Sequence, residues 1–189
     1  MSTPPAPQHH ETVALPELRL KPREERRLNG GHLWIFSNEV DTVRTPLAAF
    51  EPGALCRVVA SNARFLGYAY VNPHALICAR IVGRNPAYVP GRSLIAHRLQ
   101  VALALRERLY AEPYYRLVHG ESDGLPGLVL DRYGDTVVGQ VGTVGMELLK
   151  DEVAAALQKV VAPRTLLWKN DSGARELEGL PGYVETAFG

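Results

Sequence analysis

The side chains best suited to chemistry lie in residues 114–135, YYRLVHGESDGLPGLVLDRYGD. Gly120, Gly124 and Gly127 with Pro126 require a tightly turning loop, and Glu121, Asp123 and Asp131 cluster around it. A carboxylate pair of this kind could act as the acid and base of a glycoside hydrolase. No nucleophile, metal-ligand spacing or aromatic sugar platform accompanies it, so the favoured reading is structural: Glu121 and Asp123 accept hydrogen bonds from loop N–H groups and cap the turn. Two cysteines, Cys56 and Cys78, sit in apolar strand-like runs, where a free thiol behaves as a small hydrophobe. The six histidines show no paired spacing with Cys or Asp, so no metal site is expected. The string GQVGTVG (139–145) has the wrong glycine spacing for a dinucleotide turn and reads as a strand end running into a helix start.

Charge adds a second signal. Residues 1–110 hold fourteen Lys and Arg against eight Asp and Glu, a net of +6, whereas residues 111–189 hold seven against twelve, a net of −5. Between Glu51 and Glu107 there is no acidic residue, and Arg57, Arg64, Arg80, Arg84, Arg92, Arg98 and Arg106 fall in that gap. Such asymmetry points to a polyanionic partner for the first half.

These groups must be carried by ordered elements. Residues 1–14, rich in Pro and polar side chains, read as a disordered tail in which His9 and His10 are solvated. ELRLK (17–21) alternates like a strand, and PREERRLNGGH predicts a short helix with Pro22 at its first position, stopped by Asn29-Gly30-Gly31. The runs 54–60, 64–72 and 76–83, joined by turn residues, predict antiparallel strands of a small barrel or sheet. NPAYVPG (85–91) is the best linker. Beyond it, Ser93 is placed to cap a helix bearing Leu94, Ile95, Leu99, Val101, Leu103, Leu105 and Leu109. Strands follow at 114–119, 128–133 and 136–142, then a helix over 146–160 with Leu148, Leu149, Val153, Ala156, Leu157 and Val160 on one face, and TLLWKN (165–170) as a last buried strand.

With 46% hydrophobic and 22% charged residues the composition is that of an ordinary globular protein, and no apolar run approaches the roughly 20 residues of a membrane helix. The start MSTPPAPQHHET lacks the features of a signal peptide, and two unpaired-looking cysteines suggest the cytoplasm. No membrane partner is expected.

GESDGLPGLVLDRYGD resembles the central motif of the RlmI-type class I 23S rRNA methyltransferases that make 5-methylcytosine. LRLKPREERRLNGGHLWIFSNEV (18–40) resembles that family's N-terminal signature, with His32, Trp34, Phe36 and Ser37 in its His-x-Trp-x-Phe-Ser segment. The resemblance covers about residues 18–189 and implies an α+β fold: a small β-barrel-like PUA domain over 15–86 that binds RNA, followed by a mixed α/β central domain over 87–189. Family members carry a third, Rossmann-like domain that binds S-adenosylmethionine and holds the catalytic cysteines. This sequence ends at ETAFG, where that domain would begin, so no Rossmann-like domain, no bound cofactor and no catalytic residue is expected in this chain, and alone it should be inactive. Cys56 and Cys78 do not match the catalytic positions.

The resemblance further implies that Lys21, Arg23, Arg26, Arg27, His32 and Trp34 face the partner, 23S ribosomal RNA, with Arg57 and Arg64 as further RNA-binding candidates. Arginine forks suit phosphates and an exposed indole can stack on an unpaired base. For Trp34 a role as core anchor competes with stacking, because Ile35 and Phe36 flank it, and Glu24 and Glu25 partly neutralise the basic helix. Substrate recognition for a methyltransferase that uses S-adenosylmethionine is the leading function, with a homodimer as a further expectation. The alternatives are a stand-alone RNA-binding adaptor and a pseudouridine synthase, the latter disfavoured because Val129 and Tyr133 flank Leu130-Asp131-Arg132 where that enzyme's motif needs other residues.

Overall fold

Largely buried runs of β-branched and aromatic residues between 55 and 83 build the first of two sheets. β3 (Leu55–Val59), β4 (Phe65–Val71) and β5 (Ile77–Gly83) pair antiparallel in chain order, as their turn residues predict. In the computed structural model, which describes residues 15–189, β1 (Glu17–Arg19) adds parallel to β3 and β2 (Trp34–Phe36) adds antiparallel to β5, giving the order β1-β3-β4-β5-β2. The expected tail 1–14, with His9 and His10, lies outside the described residues.

The sheet curls until its two ends meet. Leu20, just past β1, bridges Val40, just past β2; the Lys21 N–H donates to the Glu39 carbonyl and the Asp41 N–H to the Arg19 carbonyl. Closure of this kind leaves fewer unpaired edge groups and encloses one core, here Leu18, Leu20, Ile35, Val40, Cys56, Val58, Cys78 and Ile81. The helix between β1 and β2 is shorter than the sequence suggests. Pro22–Glu25 is a turn with Arg23 in the left-handed region (φ +74°), and only α1 (Arg26–Asn29) is helical. Its single buried anchor is Leu28, and the charged residues around it offer no apolar face to hold a longer helix down.

The second sheet has the order β10-β9-β8-β7-β6, from β6 (Tyr114–His119), β7 (Leu128–Tyr133), β8 (Thr136–Val141), β9 (Thr165–Asn170) and β10 (Tyr183–Phe188). Gly134 and Asp135 form the two-residue hairpin turn between β7 and β8, with Gly134 at φ +62°. β8 and β9 run parallel, so the chain between them crosses over through α3 (Val144–Glu147) and α4 (Lys150–Val160). α2 (Arg92–Leu109) packs on α4 and β6. The core beneath includes Leu117, Leu128, Leu130, Val137, Leu157, Leu166 and Trp168.

Three helical expectations change. Gly91, not Ser93, occupies the N-cap of α2, and only Ile95, Leu99 and Ala102 of that helix are buried, while Val101, Leu105 and Leu109 face outward. Residues 99 and 101 stand about 200° apart on a helix, so one core-facing stripe cannot hold both. The helix expected over 146–160 is broken between α3 and α4, and Leu148 is exposed while Leu149 packs on the core, since adjacent helical residues do not share a face. β9 is not the last strand: β10 pairs antiparallel with it along the sheet edge. Most β10 side chains are exposed, which hides the hydrophobic signal a buried strand would show. No helix among the described residues is long and apolar enough to cross a membrane.

A polar joint ties the sheets. The buried carboxylate of Glu178 accepts from Asn72 Nδ2 at 2.9 Å and from Arg80 Nη1 at 2.7 Å, and so spans from β5 to the segment before β10. Arg98 of α2 donates to the carbonyls of Val82 and Gly124, and Gly145 has no side chain because the Tyr70 ring fills that space.

Candidate nucleic-acid interface

Trp34 stands on the edge strand β2 with 37% of its surface exposed, so it is a surface indole rather than a core anchor. Its neighbours hold it in one orientation. The indole N–H donates to Glu121 Oε1 at 2.6 Å, across 87 residues of sequence, and the His32 ring meets it edge to face at 5.8 Å between centroids. Arg80, paired in register with Trp34 on β5, has its Nε 3.8 Å from the same Glu121 oxygen. Gly31, His32, Leu33, Trp34, Glu121 and Ser122 line an open cleft of about 350 Å³ beside the indole.

The predicted basic residues separate into two groups. Lys21, Arg23 and Arg26 are exposed, and among the described residues Arg23 and Arg26 make no ion pair; Lys21 Nζ donates to the Asn38 carbonyl at 2.7 Å. Arg64 is exposed and reaches Asn29 Oδ1 at 3.4 Å, which brings it beside α1. Arg27 is engaged internally: it pairs with Glu39 at 3.1 Å, touches the His32 ring and lies 4.9 Å over the Phe36 ring. Arg57 is half-buried on β3, away from β2 in the sheet order, 3.8 Å from Glu17 and over the Phe65 ring.

The acid-free span turns out to serve the fold as much as any partner. Arg80 pairs with Glu178, Arg92 with Glu152 at 3.4 Å, and Arg106 holds Asp123 through two bonds of 2.6 and 2.8 Å, while Arg98 is engaged by backbone carbonyls. Part of the charge asymmetry between the halves is therefore neutralised across them. Arg84 stays exposed, its Nη2 donating to the His32 carbonyl at 2.8 Å beside the cleft. None of these pairings could be read from the spacing of charges.

The glycine loop turns tightly, and its two acids serve different neighbours. Gly120, Gly124 and Gly127 all have positive φ (52°, 71° and 80°), as the turn requires. Asp123 accepts the His119 N–H at 2.7 Å, as expected of a loop carboxylate, but its chief partner is Arg106 of α2. Glu121 points the other way, to Trp34. Burial pushes both thiols, Cys56 and Cys78, up to about 12, far from the thiolate a nucleophile needs. Along residues 139–145, Gly139 lies under the Trp168 ring, Gly145 under Tyr70, and Thr143 caps α3 by accepting from the Met146 N–H at 3.3 Å.

Residues 18–84, the span of the curled first sheet, match the sequence profile of the PUA-like domain family. The first sheet is therefore the part of the chain that is similar to PUA-like domains. Over 166 residues, 86% of its length, the chain is 34% identical to the ribosomal RNA large subunit methyltransferase I of Shewanella denitrificans, and over 159 residues it is 31% identical to the protein of that name from Cronobacter sakazakii. The chain spans about 41% and 39% of those relatives. The fold as a whole is shared with a Streptococcus mutans protein described as a SAM-dependent methyltransferase, with a TM-score of 0.74 at 17% identity over 93% of this chain and 43% of that one. A methyltransferase solved in complex with SAH gives 0.71 at 18% identity, over 82% of this chain and 40% of that one. Trp34, α1 and the exposed cations before it thus all belong to the PUA-like domain, while Glu121 comes from the neighbouring sheet.

Proposed function

We propose that this chain is the RNA-recognition portion of an rRNA methyltransferase, with the PUA-like domain over residues 15–86 and a central α/β domain over 87–189, and that 23S ribosomal RNA is its partner in the cytoplasm. The observation that carries the reading is the surface of the PUA-like region around α1, where Arg23 and Arg26 are exposed and make no ion pair among the described residues, within one short segment of the exposed Trp34. Cations there can bind phosphates while the indole stacks on an unpaired base, the combination single-stranded RNA favours. Lys21 and Arg64 extend this charge; Arg27 and His32 set the shape of the strand entry, and Arg57 contributes from a separate part of the sheet. The similarity to proteins named as large-subunit rRNA methyltransferases supports a methyltransferase parent; S-adenosylmethionine as its methyl donor, cytosine C5 as its target and catalysis outside this chain are further elements of this proposal. Alone, the chain should bind RNA without methylating it. A homodimer is compatible with this assignment and is testable by light scattering.

Fluorescence anisotropy with a structured 23S rRNA fragment tests the reading. Affinity should fall steeply with salt, and the double variant Arg23→Ala, Arg26→Ala should bind more weakly with a slope of log affinity against log salt reduced by about 2, one for each phosphate that no longer meets an arginine. An unchanged slope would remove this face from the interface. Equal binding by the parent and a Trp34→Ala variant would do the same for the indole.

A further inference from the structure

We infer that the cleft between Trp34 and Glu121 is a pocket for one unpaired nucleobase bearing an exocyclic amino group, and that it discriminates such a base from uracil. The inference rests on the RNA-binding reading above and adds to it the identity of what the indole receives.

The cleft has a flat aromatic wall, a carboxylate and an open mouth. Its volume of about 350 Å³ lies at the lower end of the range for small-ligand sites. The indole is one-third exposed and cannot rotate freely, because Glu121 Oε1 holds its N–H at 2.6 Å and His32 meets its edge. A platform fixed before binding loses little rotamer freedom when a base stacks on it. The carboxylate sets the polarity of the pocket. Oε1 is occupied by Trp34 and lies 3.8 Å from Arg80, whereas Oε2 accepts no hydrogen bond among the described residues. A carboxylate only accepts, so a base stacked on Trp34 must present a donor to it. The amino group of cytosine meets that need, whereas uracil has at that position a carbonyl oxygen that Glu121 repels, and its one donor on that edge, N3–H, lies between two such carbonyls. Arg84, fixed to the His32 carbonyl at 2.8 Å, stands at the cleft where a flanking phosphate would lie.

The site joins two sheets. Trp34 belongs to the PUA-like domain and Glu121 to the loop after β6, so the pocket exists only while the joint at Glu178 and Arg98 keeps the two sheets together. That arrangement gives the GESDG loop a role beyond turning the chain.

Short single-stranded RNAs test the inference in the intact chain. Titrate hexacytidylate and hexauridylate while following tryptophan fluorescence. Trp168 is almost fully buried, so quenching reports Trp34. The cytidine oligomer should bind about fivefold more tightly or better, with quenching. Glu121→Gln, which keeps the shape and the bond to the indole, should bring the ratio close to one while its melting curve stays that of a folded protein. Trp34→Phe should retain weaker binding by both oligomers. If both oligomers quench Trp34 equally and Glu121→Gln changes nothing, the pocket is overturned while the RNA-binding face stands. If neither oligomer quenches Trp34, the pocket is overturned; if in addition the Arg23→Ala, Arg26→Ala variant keeps the parent's salt slope on structured rRNA, the RNA-binding face falls with it.

Discussion

Two arginine–aspartate pairs around the second sheet have the same chemistry and different worth, because burial differs. Arg106 and Asp123 expose only 13% and 9% of their side chains and meet through a two-bond fork, with the His119 N–H as a third donor to the carboxylate. Replacing Asp123 by Ala strands a guanidinium in a mostly dry place and should cost about 3 kcal/mol, read as a fall in the chemical-denaturation midpoint. Arg116 and Asp131 form a similar fork, but Arg116 is 47% exposed and solvent already screens it. Asp131→Ala should cost less than about 1 kcal/mol. Equal losses in the two variants would mean that the loop around residue 123 is wetter than its burial indicates.

Within the second sheet, the position of Gly139 on β8 is decided by the strand beside it. Gly139 pairs in register with Trp168 of β9, and a Cβ added there would stand 2.3 Å from the indole ring. Alternation alone would place an apolar side chain at 139 between the buried Val137 and Val141; the large ring on the adjacent strand takes that volume instead. Gly139→Ala should therefore destabilise by about 1–3 kcal/mol or more through overpacking, with a lowered melting temperature and shifted near-ultraviolet signal from Trp168. Gly173→Ala provides the contrast. No atom lies within 4 Å of its would-be Cβ and its φ is not positive, so that variant should melt within a degree or two of the parent.

At the scale of the molecule, the two sheets cohere through a few long-range polar contacts rather than one shared apolar core. Their buried residues fall into two separate clusters, and Glu178 bridges between them by accepting from Asn72 and Arg80. Glu178→Ala removes the acceptor and leaves both donors buried. Calorimetry should then show a lower melting temperature and a broadened or split transition in place of one cooperative peak. A single sharp transition at the parent temperature would mean that Arg98 and the helix packing alone couple the sheets. The exposed stretch 84–91 between β5 and α2 could not do so, since apart from Tyr68, whose hydroxyl donates to the Pro86 carbonyl at 2.9 Å, it makes few ties to either sheet.

What the sequence determined by itself is what depends on near neighbours. β3, β4 and β5, the Gly134-Asp135 hairpin and the positive-φ glycines at 120, 124 and 127 were all legible, because β-branched and aromatic runs and turn chemistry act over a few residues. The family motifs at 18–40 and 120–135 were legible for the same reason. The tertiary structure alone decided where the charges go. Arg80 finds Glu178 at a separation of 98 residues, Trp34 finds Glu121 at 87, and part of the charge excess that suggested a polyanion is answered inside the molecule through Arg80, Arg92 and Arg106. It also decided which of several helical leucines are core, leaving Leu105 and Leu148 outside, and made an exposed edge strand of residues 183–188 by giving them β9 to pair with. Composition and spacing count groups along a chain; pairing and burial depend on distances in space, and only the closed sheets and their joint set those.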